Sequence, residues 1–332
     1  MFDLRLDEVR DWVLSRGYRS VALQMPEGLK SSAPRAISEL SRSTGAVFFL
    51  LGDPCYGACD LHPRYREFAQ ALVHFGHSPM PSLGVDEDVL FIEVFHQGRL
   101  DDRLQAALPR LGSRVGLLAT VQYLPLLAEA EEYLARNGRE VRVGRGDERI
   151  AHPGQVLGCN RSAAESVEDE VDCYLYIGEG DFHPLAVSLG TEKPVLVFNP
   201  LDGSLRELDE KKERMLRHRF AVLQSAMDAR RFLVLVSSKT GQDRSPVARQ
   251  LMEQIHRQGR EAIMVVMDEL SPDRLLHYDV DAYVNTACPR IALDDQAAYR
   301  RPMLTVPEAE IVLGLRRWED YRFDAILPSQ QR

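Results

Sequence analysis

The sequence predicts an α/β fold of three similar small domains, each a four-stranded, mainly parallel sheet flanked by helices, arranged around a central site. Short β-branched apolar runs alternate with helical stretches along the whole chain. These runs fall into three sets of four, in the same order each time. Nearly continuous apolar strands with helical crossovers are typical of parallel sheets covered on both faces. The repeated order indicates an internal triplication.

The predicted strands are short and apolar. They lie at residues 20–25, 46–51, 71–75 and 89–94, at 114–121, 140–143, 173–177 and 194–198, and at 231–237, 262–267, 282–285 and 303–306. Predicted helices between the strands lie at residues 33–43, 125–137, 244–258 and 308–318. Several of them end close to Gly or Asn, residues that commonly terminate helices.

The domain limits are expected where this pattern is interrupted. A chain of 332 residues is long enough for two or three domains. One interruption lies within residues 98–112, and a second lies in the charged, helix-prone stretch 202–228. We therefore predict domains at residues 1–105, 106–205 and 206–332.

Charge and composition narrow the range of functions. The formal net charge of -9 gives no reason to expect a nucleic-acid partner. The N-terminus lacks the order of a signal peptide, and no stretch approaches about 18 uninterrupted apolar residues, so we expect a soluble, cytoplasmic protein without a membrane segment. In that reducing compartment the 5 cysteines are not expected to form disulfides, and each is a buried small residue, a metal ligand or a nucleophile.

Three cysteines lie in loops after predicted strands, one in each domain. Cys59 lies in the motif GDPCYGACD, Cys159 in VLGCN and Cys288 in NTACPR. Ligands of open α/β sheets collect in loops at the carboxyl ends of strands, so the three cysteines are expected to reach a common centre. Small residues precede each cysteine and would let a bulky inorganic group approach the backbone, namely Gly57, Ala58, Gly158 and Ala287.

Three converging thiolates are compatible with a 4Fe-4S cluster whose fourth iron stays open to a substrate, whereas zinc would require a fourth protein ligand or water. Cys173 begins an apolar strand and is expected to be a structural residue. Cys55 and Cys59 make up two-thirds of the CxxxCxxC signature of ordinary radical S-adenosylmethionine (SAM) enzymes, but His62 occupies the third position. We therefore interpret Cys55 as a neighbour of the site and not as a ligand.

Six motifs, in order across the three domains, resemble the archaeal 2-(3-amino-3-carboxypropyl)histidine synthase family of diphthamide-synthesis enzymes. They are PEGL at 26–29, GDPCYGACD at 52–60, VLGC at 156–159, YIGEGDFH at 176–183, SSKTGQ at 237–242 and TACPR at 286–290. The resemblance implies a homodimer of three-domain subunits. It also implies that each subunit binds a 4Fe-4S cluster through Cys59, Cys159 and Cys288.

The resemblance further implies a transferase reaction. Enzymes of this family are radical SAM enzymes without the usual barrel, and they cleave the Cγ–S bond of SAM to give a 3-amino-3-carboxypropyl radical and methylthioadenosine. The radical adds to the imidazole of one histidine in translation elongation factor 2, which is the first step of diphthamide biosynthesis. SAM is therefore an expected substrate, the elongation factor an expected partner, and an electron donor is needed.

Four residues are candidates for binding SAM. Ser237, Lys239 and Gln242 lie in a loop after a strand, where side chains and backbone N–H groups are available to the carboxylate and amine of SAM. Arg290, two residues beyond Cys288, is a further candidate for binding a carboxylate. A solvated loop lysine is the alternative interpretation of Lys239.

Three residues are candidates for catalysis. Glu27 and Glu179 each follow a strand and are expected to bind ribose or the SAM amine, or to orient the incoming imidazole, with helix capping as the alternative. His183 is expected to transfer a proton when the modified imidazole becomes aromatic again, although it is also compatible with a packed histidine.

Three alternative functions remain open. Quinolinate synthase also has three α/β domains that each give one cysteine to a 4Fe-4S cluster. Only the residues of the motifs favour the diphthamide family over this alternative. A non-catalytic partner subunit is the second alternative, because related eukaryotic subunits form heterodimers; the intact cysteines and the loop 237–242 favour a self-sufficient enzyme. A zinc-stabilised scaffold is the third, and it predicts a colourless protein.

Overall fold

The structure is a computed structural model. Three β-sheets form the framework of the protein. The structure describes residues 3–84, 86–294 and 296–331. The first domain contains four strands and three helices. In chain order they are helix α1 Leu6–Arg16, strand β1 Ser20–Gln24, helices α2 Glu27–Lys30 and α3 Ala33–Thr44, and strands β2 Val47–Leu50, β3 Ala71–Phe75 and β4 Val89–Ile92.

The second domain contains five strands and three helices. In chain order they are β5 Arg114–Ala119, α4 Pro125–Arg136, β6 Glu140–Arg142, α5 Ser162–Glu165, β7 Cys173–Ile177, α6 Phe182–Ser188, β8 Val195–Phe198 and β9 Leu205–Glu207. Helix α4 buries Leu127, Ala130 and Leu134 against the sheet. Their spacing of three and four residues places them on one helical face, which is why this segment folds as a helix that covers the strands.

The third domain contains four strands and five helices. In chain order they are α7 Asp209–Ser225, β10 Arg231–Ser237, α8 Ser245–Arg257, β11 Glu261–Met267, α9 Pro272–Leu275, β12 Ala282–Asn285, α10 Arg290–Asp294, β13 Met303–Thr305 and α11 Val306–Val312. The charged helix α7 nevertheless buries Val222 and Leu223 in the core of this domain. It therefore belongs to the third domain and is more than a solvated connection.

The strand order is the same in all three sheets. It is β2-β1-β3-β4 in the first, β6-β5-β7-β8-β9 in the second and β11-β10-β12-β13 in the third. All neighbouring strands are parallel except β8 and β9. In a sheet of this order, the second strand lies on one side of the first strand and the third strand lies on the other side. Ligands usually bind in the crevice beyond the carboxyl ends of these strands. The repeated topology agrees with an internal triplication.

All twelve predicted strands are present within two residues of the predicted ends. The second sheet has one strand more than predicted, because β9 pairs antiparallel with β8 at the edge of the sheet. Its sequence Leu205-Arg206-Glu207 lacks the apolar run that identifies the buried strands. The predicted domain limit between residues 205 and 206 lies within this strand. The predicted helix 308–318 is instead Val306–Val312 and is followed at Gly314 by a left-handed residue with φ 67°.

The segment after α11 returns to the second domain. The Ile326 N–H donates to the Cys159 carbonyl at 2.8 Å, and Arg161 donates to the Phe323 carbonyl at 3.0 Å. The C-terminal segment therefore spans the second and third domains. In the described part of the chain, no helix combines the length and apolar character needed to cross a lipid bilayer.

Candidate functional site

The loops after strands of all three sheets line one cavity of about 510 Å³. Cys59 from the first domain, Cys159 from the second and Cys288 from the third all lie in its wall. All five cysteines of the chain are free thiols, and these three are the ones whose side chains are partly exposed. The parallel topology explains the convergence, because the carboxyl ends of parallel strands lie at one edge of each sheet.

Cys59 is held between the first and third domains. It lies in a single helical turn at residues 58–60, and the Gln242 amide donates to its Sγ at 3.4 Å. Gly241 packs directly on this turn, since a Cβ atom at position 241 would lie 2.3 Å from the Cys59 Cα. Only glycine permits this approach, so the loop after β10 fixes the position of Cys59.

The other two cysteines are positioned by contacts within their own loops. Cys159 lies in a tight loop closed by a bridge between Leu157 and Asn160. Cys288 follows β12 directly, and the Asn285 side chain donates to its carbonyl at 2.8 Å. The space beside Gly158 is filled by the ring of Phe182, where an added Cβ would lie 1.8 Å from a ring carbon. Gly158 therefore makes room for an aromatic side chain and not for an inorganic group.

Enclosure by protein raises the pKa of the cysteine thiols. Burial, followed by the neighbouring Cys159, raises the pKa of Cys59 to about 11. Burial, followed by Cys159 and Cys59, raises the pKa of Cys288 as well. The thiolates of Cys59 and Cys288 are thus disfavoured by neighbouring sulfurs as well as by desolvation. A bound metal centre would reverse this preference, because metal coordination stabilises the deprotonated ligand.

A buried cation lies beside the sulfurs. Arg149 is 1% exposed, and its guanidinium donates to the Gly241 carbonyl at 3.2 Å and lies 3.8 Å from the Cys159 Sγ. Within the described ranges no carboxylate forms an ion pair with it. A buried charge is costly without an opposite charge, which thiolate ligands would provide. Three thiols from three loops and one unpaired cation are a donor set that fits an iron-sulfur cluster.

The predicted SAM-binding residues all line the same cavity. Ser237 is buried and accepts a hydrogen bond from the Lys239 N–H at 3.2 Å. The Lys239 ammonium is bound by Asp60 at 3.0 Å and by Glu269 at 3.2 Å. Burial lowers the pKa of Lys239, but the two carboxylates outweigh it and the net effect is a raised pKa. Lys239 therefore stays charged and joins the first domain to the third.

Arg290 and His183 also reach the cavity. The Arg290 guanidinium lies 5.1 Å from the centre of the Phe182 ring, a cation–π contact that orients it. Burial, followed by the positive charge of Arg290, lowers the pKa of His183 to about 4, so this imidazole is neutral at physiological pH.

The two predicted glutamates lie outside the cavity wall. Glu27 is exposed and forms an ion pair with Lys30 at 2.5 Å, at the start of α2. Glu179 is exposed and accepts a hydrogen bond from the Tyr123 hydroxyl at 2.7 Å. Neither glutamate is among the residues that line the cavity containing the three cysteines.

The remaining cysteines have other environments. Cys173 is buried in β7, where its Sγ accepts a hydrogen bond from the Gly112 N–H at 3.3 Å. Cys55 is buried, with its Sγ 4.0 Å from the His74 Nε2. Burial raises the pKa of Cys55 to about 12, and this cysteine is not among the residues that line the cavity.

Arg149 and His77 are among the residues of the cavity wall that the sequence analysis missed. Neither lies in a cysteine motif, and the loops that carry them show no other signal. Both follow strands, however, since Arg149 lies after β6 and His77 after β3. A systematic search for polar residues after each predicted strand would have included them.

Comparisons with known proteins point to one family. The model of the diphthamide synthesis protein family matches residues 25–322. The chain is 40% identical over 316 residues to the 2-(3-amino-3-carboxypropyl)histidine synthase of Pyrococcus horikoshii, covering 94% of this chain and 90% of that protein. It is 30% identical over 313 residues to subunit 1 of the human 2-(3-amino-3-carboxypropyl)histidine synthase, covering 91% of this chain and 69% of that protein.

A solved structure has the same architecture. The crystal structure of Dph2 from Pyrococcus horikoshii with a 4Fe-4S cluster superposes with a TM-score of 0.91 at 37% sequence identity, covering 98% of this chain and 95% of that chain. The predicted fold class is confirmed by this match. Sequence and structure together assign the chain to the diphthamide synthesis protein family.

Proposed function

We propose that this protein is a 2-(3-amino-3-carboxypropyl)histidine synthase, which transfers the 3-amino-3-carboxypropyl group of SAM to a histidine of translation elongation factor 2 and releases methylthioadenosine. The observation that carries the proposal is the convergence of Cys59, Cys159 and Cys288 on one cavity, in a chain that belongs to the diphthamide synthesis family. Family membership agrees with the sequence prediction and disfavours the quinolinate synthase alternative.

Cys59, Cys159 and Cys288 would hold a 4Fe-4S cluster. When bound there, the cluster would supply the single electron that breaks the Cγ–S bond of SAM. Arg149 would balance the charge of the thiolates, since it is buried beside Cys159 without a carboxylate partner among the described residues. The glutamine side chain of Gln242 donates to Cys59 and would keep that sulfur in position.

The wall of the cavity supports a binding mode for SAM. Arg290 is the side chain best suited to bind its carboxylate, because a guanidinium can form two parallel hydrogen bonds. Ser237 accepts a hydrogen bond from the Lys239 N–H, and the Lys239 ammonium is paired with Asp60. These two residues would therefore shape the pocket through their backbone and through the fixed positive charge of Lys239. A bound and aligned SAM presents only one C–S bond for cleavage, so positioning selects the product.

Glu27, Glu179 and His183 stay predictions from the sequence. His183 lines the cavity and is the only one of the three that does so among the described residues. The two glutamates would need a change in loop conformation to reach a ligand in the cavity.

The reaction is tested with anaerobically purified protein that is reduced and incubated with SAM and elongation factor 2. We expect methylthioadenosine and a mass gain of one 3-amino-3-carboxypropyl group on the factor. Formation of 5′-deoxyadenosine as the main SAM product would contradict the proposal. A colourless protein without iron and sulfide would instead support the zinc-stabilised scaffold.

The proposed partners and location follow from the same function. We propose a homodimer that works in the cytoplasm on elongation factor 2 and receives electrons from a separate donor. The alternative of a non-catalytic subunit predicts no methylthioadenosine without a second, different chain. Analytical ultracentrifugation combined with the SAM assay separates these two cases.

A further inference from the structure

A chain of three polar side chains, two of them buried and the third partly buried, leads from the first sheet to the cavity. Gln24 ends β1 and His74 lies in β3, and the two residues are partners in the parallel register. The Gln24 Oε1 lies 3.0 Å from the His74 Nδ1, and the His74 Nε2 lies 3.0 Å from the His77 Nδ1. His74 is 0% exposed and Gln24 is 4% exposed, so water cannot replace these contacts. His77 is the last member of the chain and lines the cavity.

The partners of Gln24 determine which way its amide points. Its Nε2 donates to the Asp60 carbonyl at 2.7 Å, and its Oε1 accepts from the His62 backbone N–H at 3.2 Å. The oxygen therefore faces His74 and can only accept a hydrogen bond. It follows that the His74 Nδ1 carries a proton.

The proton on the His74 Nδ1 also determines the tautomer of His77. Burial lowers the pKa of His74 well below its ordinary value and lowers that of His77 to about 4, so both rings are neutral at physiological pH. A neutral imidazole has one N–H, so the His74 Nε2 has a bare lone pair. The His77 Nδ1 must then donate to it. The His77 Nε2 is left as a bare lone pair.

The backbone brings the two histidines together through Gly76. This residue has φ 81°, a left-handed conformation that glycine adopts readily, and it turns the chain directly after β3. Among the described residues the His77 Nε2 has no hydrogen-bond partner. His183, by contrast, has no hydrogen bond within the described chain that would select its tautomer. The hydrogen bonds of the folded chain thus fix the tautomer of His77, so that its Nε2 is a proton acceptor before any substrate binds.

We propose that the Nε2 of His77 accepts the proton that the substrate imidazole loses when the 3-amino-3-carboxypropyl group is attached to it. This inference rests on the proposed function. Over one turnover the Cγ–S bond of SAM breaks, a C–C bond to the imidazole forms, and the C–H proton of that imidazole carbon leaves, with no net gain or loss of electrons. The return of aromaticity makes this proton acidic, so a weak base is sufficient.

Gln24 and His74 are positioning residues in this proposal, because they act only by holding the tautomer of His77. A metal ion bound by Cys55, His74 and His77 is the competing interpretation, since their ligand atoms lie within 4.8 Å of one another. Two nitrogens bound at about 2.05 Å to a tetrahedral zinc ion would be about 3.3 Å apart. The observed 3.0 Å between His74 and His77 is a hydrogen-bond distance and favours the proton chain.

The experiment uses the cluster-containing enzyme, SAM and elongation factor 2 whose histidines carry deuterium on the ring carbons. We expect His77→Ala to retain iron and methylthioadenosine release, while modification of the factor slows by about 100-fold and shows a deuterium isotope effect. Added imidazole should restore part of the modification. Gln24→Leu should show the same isotope effect, because it removes the acceptor that fixes the His74 tautomer.

His62→Ala is the matched control, because His62 contacts Gln24 only through its backbone N–H. It should behave as the unchanged enzyme. The inference is overturned if His77→Ala modifies the factor at the normal rate, if His183→Ala alone produces the isotope effect and imidazole rescue, or if a metal other than iron is present and is lost with His77→Ala. Failure of the proposed function is a different result, because the unchanged enzyme would then release no methylthioadenosine.

Discussion

Two buried cations lie in the wall of the cavity, and they differ in their partners. Lys239 is paired with Asp60 and Glu269, so its charge is neutralised by the protein. Arg149 contacts a carbonyl, an amide oxygen and the Cys159 sulfur, none of which is a carboxylate. At the residue scale, Arg149 is therefore a buried positive charge beside Cys159 that no carboxylate of the described residues neutralises.

Replacement of Arg149 tests this assignment. We expect Arg149→Met to lower the iron content of the purified protein and to reduce the free energy of unfolding by about 2 kcal/mol, since hydrogen bonds from a charged donor are lost. Arg149→Lys should retain more iron because it keeps the charge. Iron and sulfide analysis with urea denaturation measures both effects. Full iron content in Arg149→Met would show that the guanidinium is not required.

Serine substitution separates the cysteines that face the cavity from the others. Cys59→Ser, Cys159→Ser and Cys288→Ser should each abolish retention of the cluster, because a hydroxyl is a poor ligand for iron in such clusters. Cys55→Ser and Cys173→Ser are the controls and should keep the brown colour. The readout is iron, sulfide and visible absorbance after anaerobic purification. Equal losses in all five variants would contradict this ligand assignment.

At the scale of elements, two short turns from different domains meet at the site. The turn 58–60 carries Cys59, and the turn 240–242 carries Gly241 against it. The position of a ligand in the first domain is thus determined by a loop in the third. Parallel sheets make this arrangement accessible, because each one places the loops after its strands at a single edge.

Gly241→Ala tests the contact between the two turns. The added Cβ would lie 2.3 Å from the Cys59 Cα, so one turn must move. We expect the variant to lose the cluster and to unfold at lower denaturant concentration, by about 1–3 kcal/mol, as is typical of overpacking. Gly28→Ala is the matched control, since a Cβ there has nothing within 4 Å. Normal iron content in Gly241→Ala would show that the turns are free to separate.

At the scale of the whole molecule, the C-terminal segment connects the second and third domains. Arg244, 0% exposed at the start of α8, forms an ion pair with the buried Asp324 at 2.9 Å. Two residues further on, the Ile326 N–H binds the carbonyl of Cys159. A contact in the third domain thereby supports a cysteine of the second.

Arg244→Met tests how much this connection contributes. Removing one partner leaves a buried charge without compensation, which typically costs about 3–5 kcal/mol. We therefore expect a large decrease in the free energy of unfolding, with partial loss of iron. Arg257→Met is the control on the same helix, because its pair with Glu253 is exposed and contributes about 0–1 kcal/mol. Urea denaturation of both variants gives the comparison, and similar costs would contradict the argument.

The sequence by itself determined the twelve predicted strands, their grouping into three sets of four and the loops that carry Cys59, Cys159 and Cys288. These features depend on local apolar patterns and on short motifs, which adjacent residues reveal. Strand β9 was not predicted, because an edge strand of three residues, two of them charged, has no apolar pattern. The predicted domain limit between residues 205 and 206 falls within that strand for the same reason.

Only the tertiary structure decided which polar side chains share the cavity. Glu27 and Glu179 follow strands as Arg149 and His77 do, yet only the second pair lines the wall. The direction of a loop after a strand depends on packing against other domains, as the contact of Gly241 with Cys59 illustrates. The tautomer of His77 depends likewise on Gln24, about fifty residues away in sequence, which reaches it through the pairing of β1 with β3. Such long-range contacts carry no signal in neighbouring residues, and the folded chain alone brings them together.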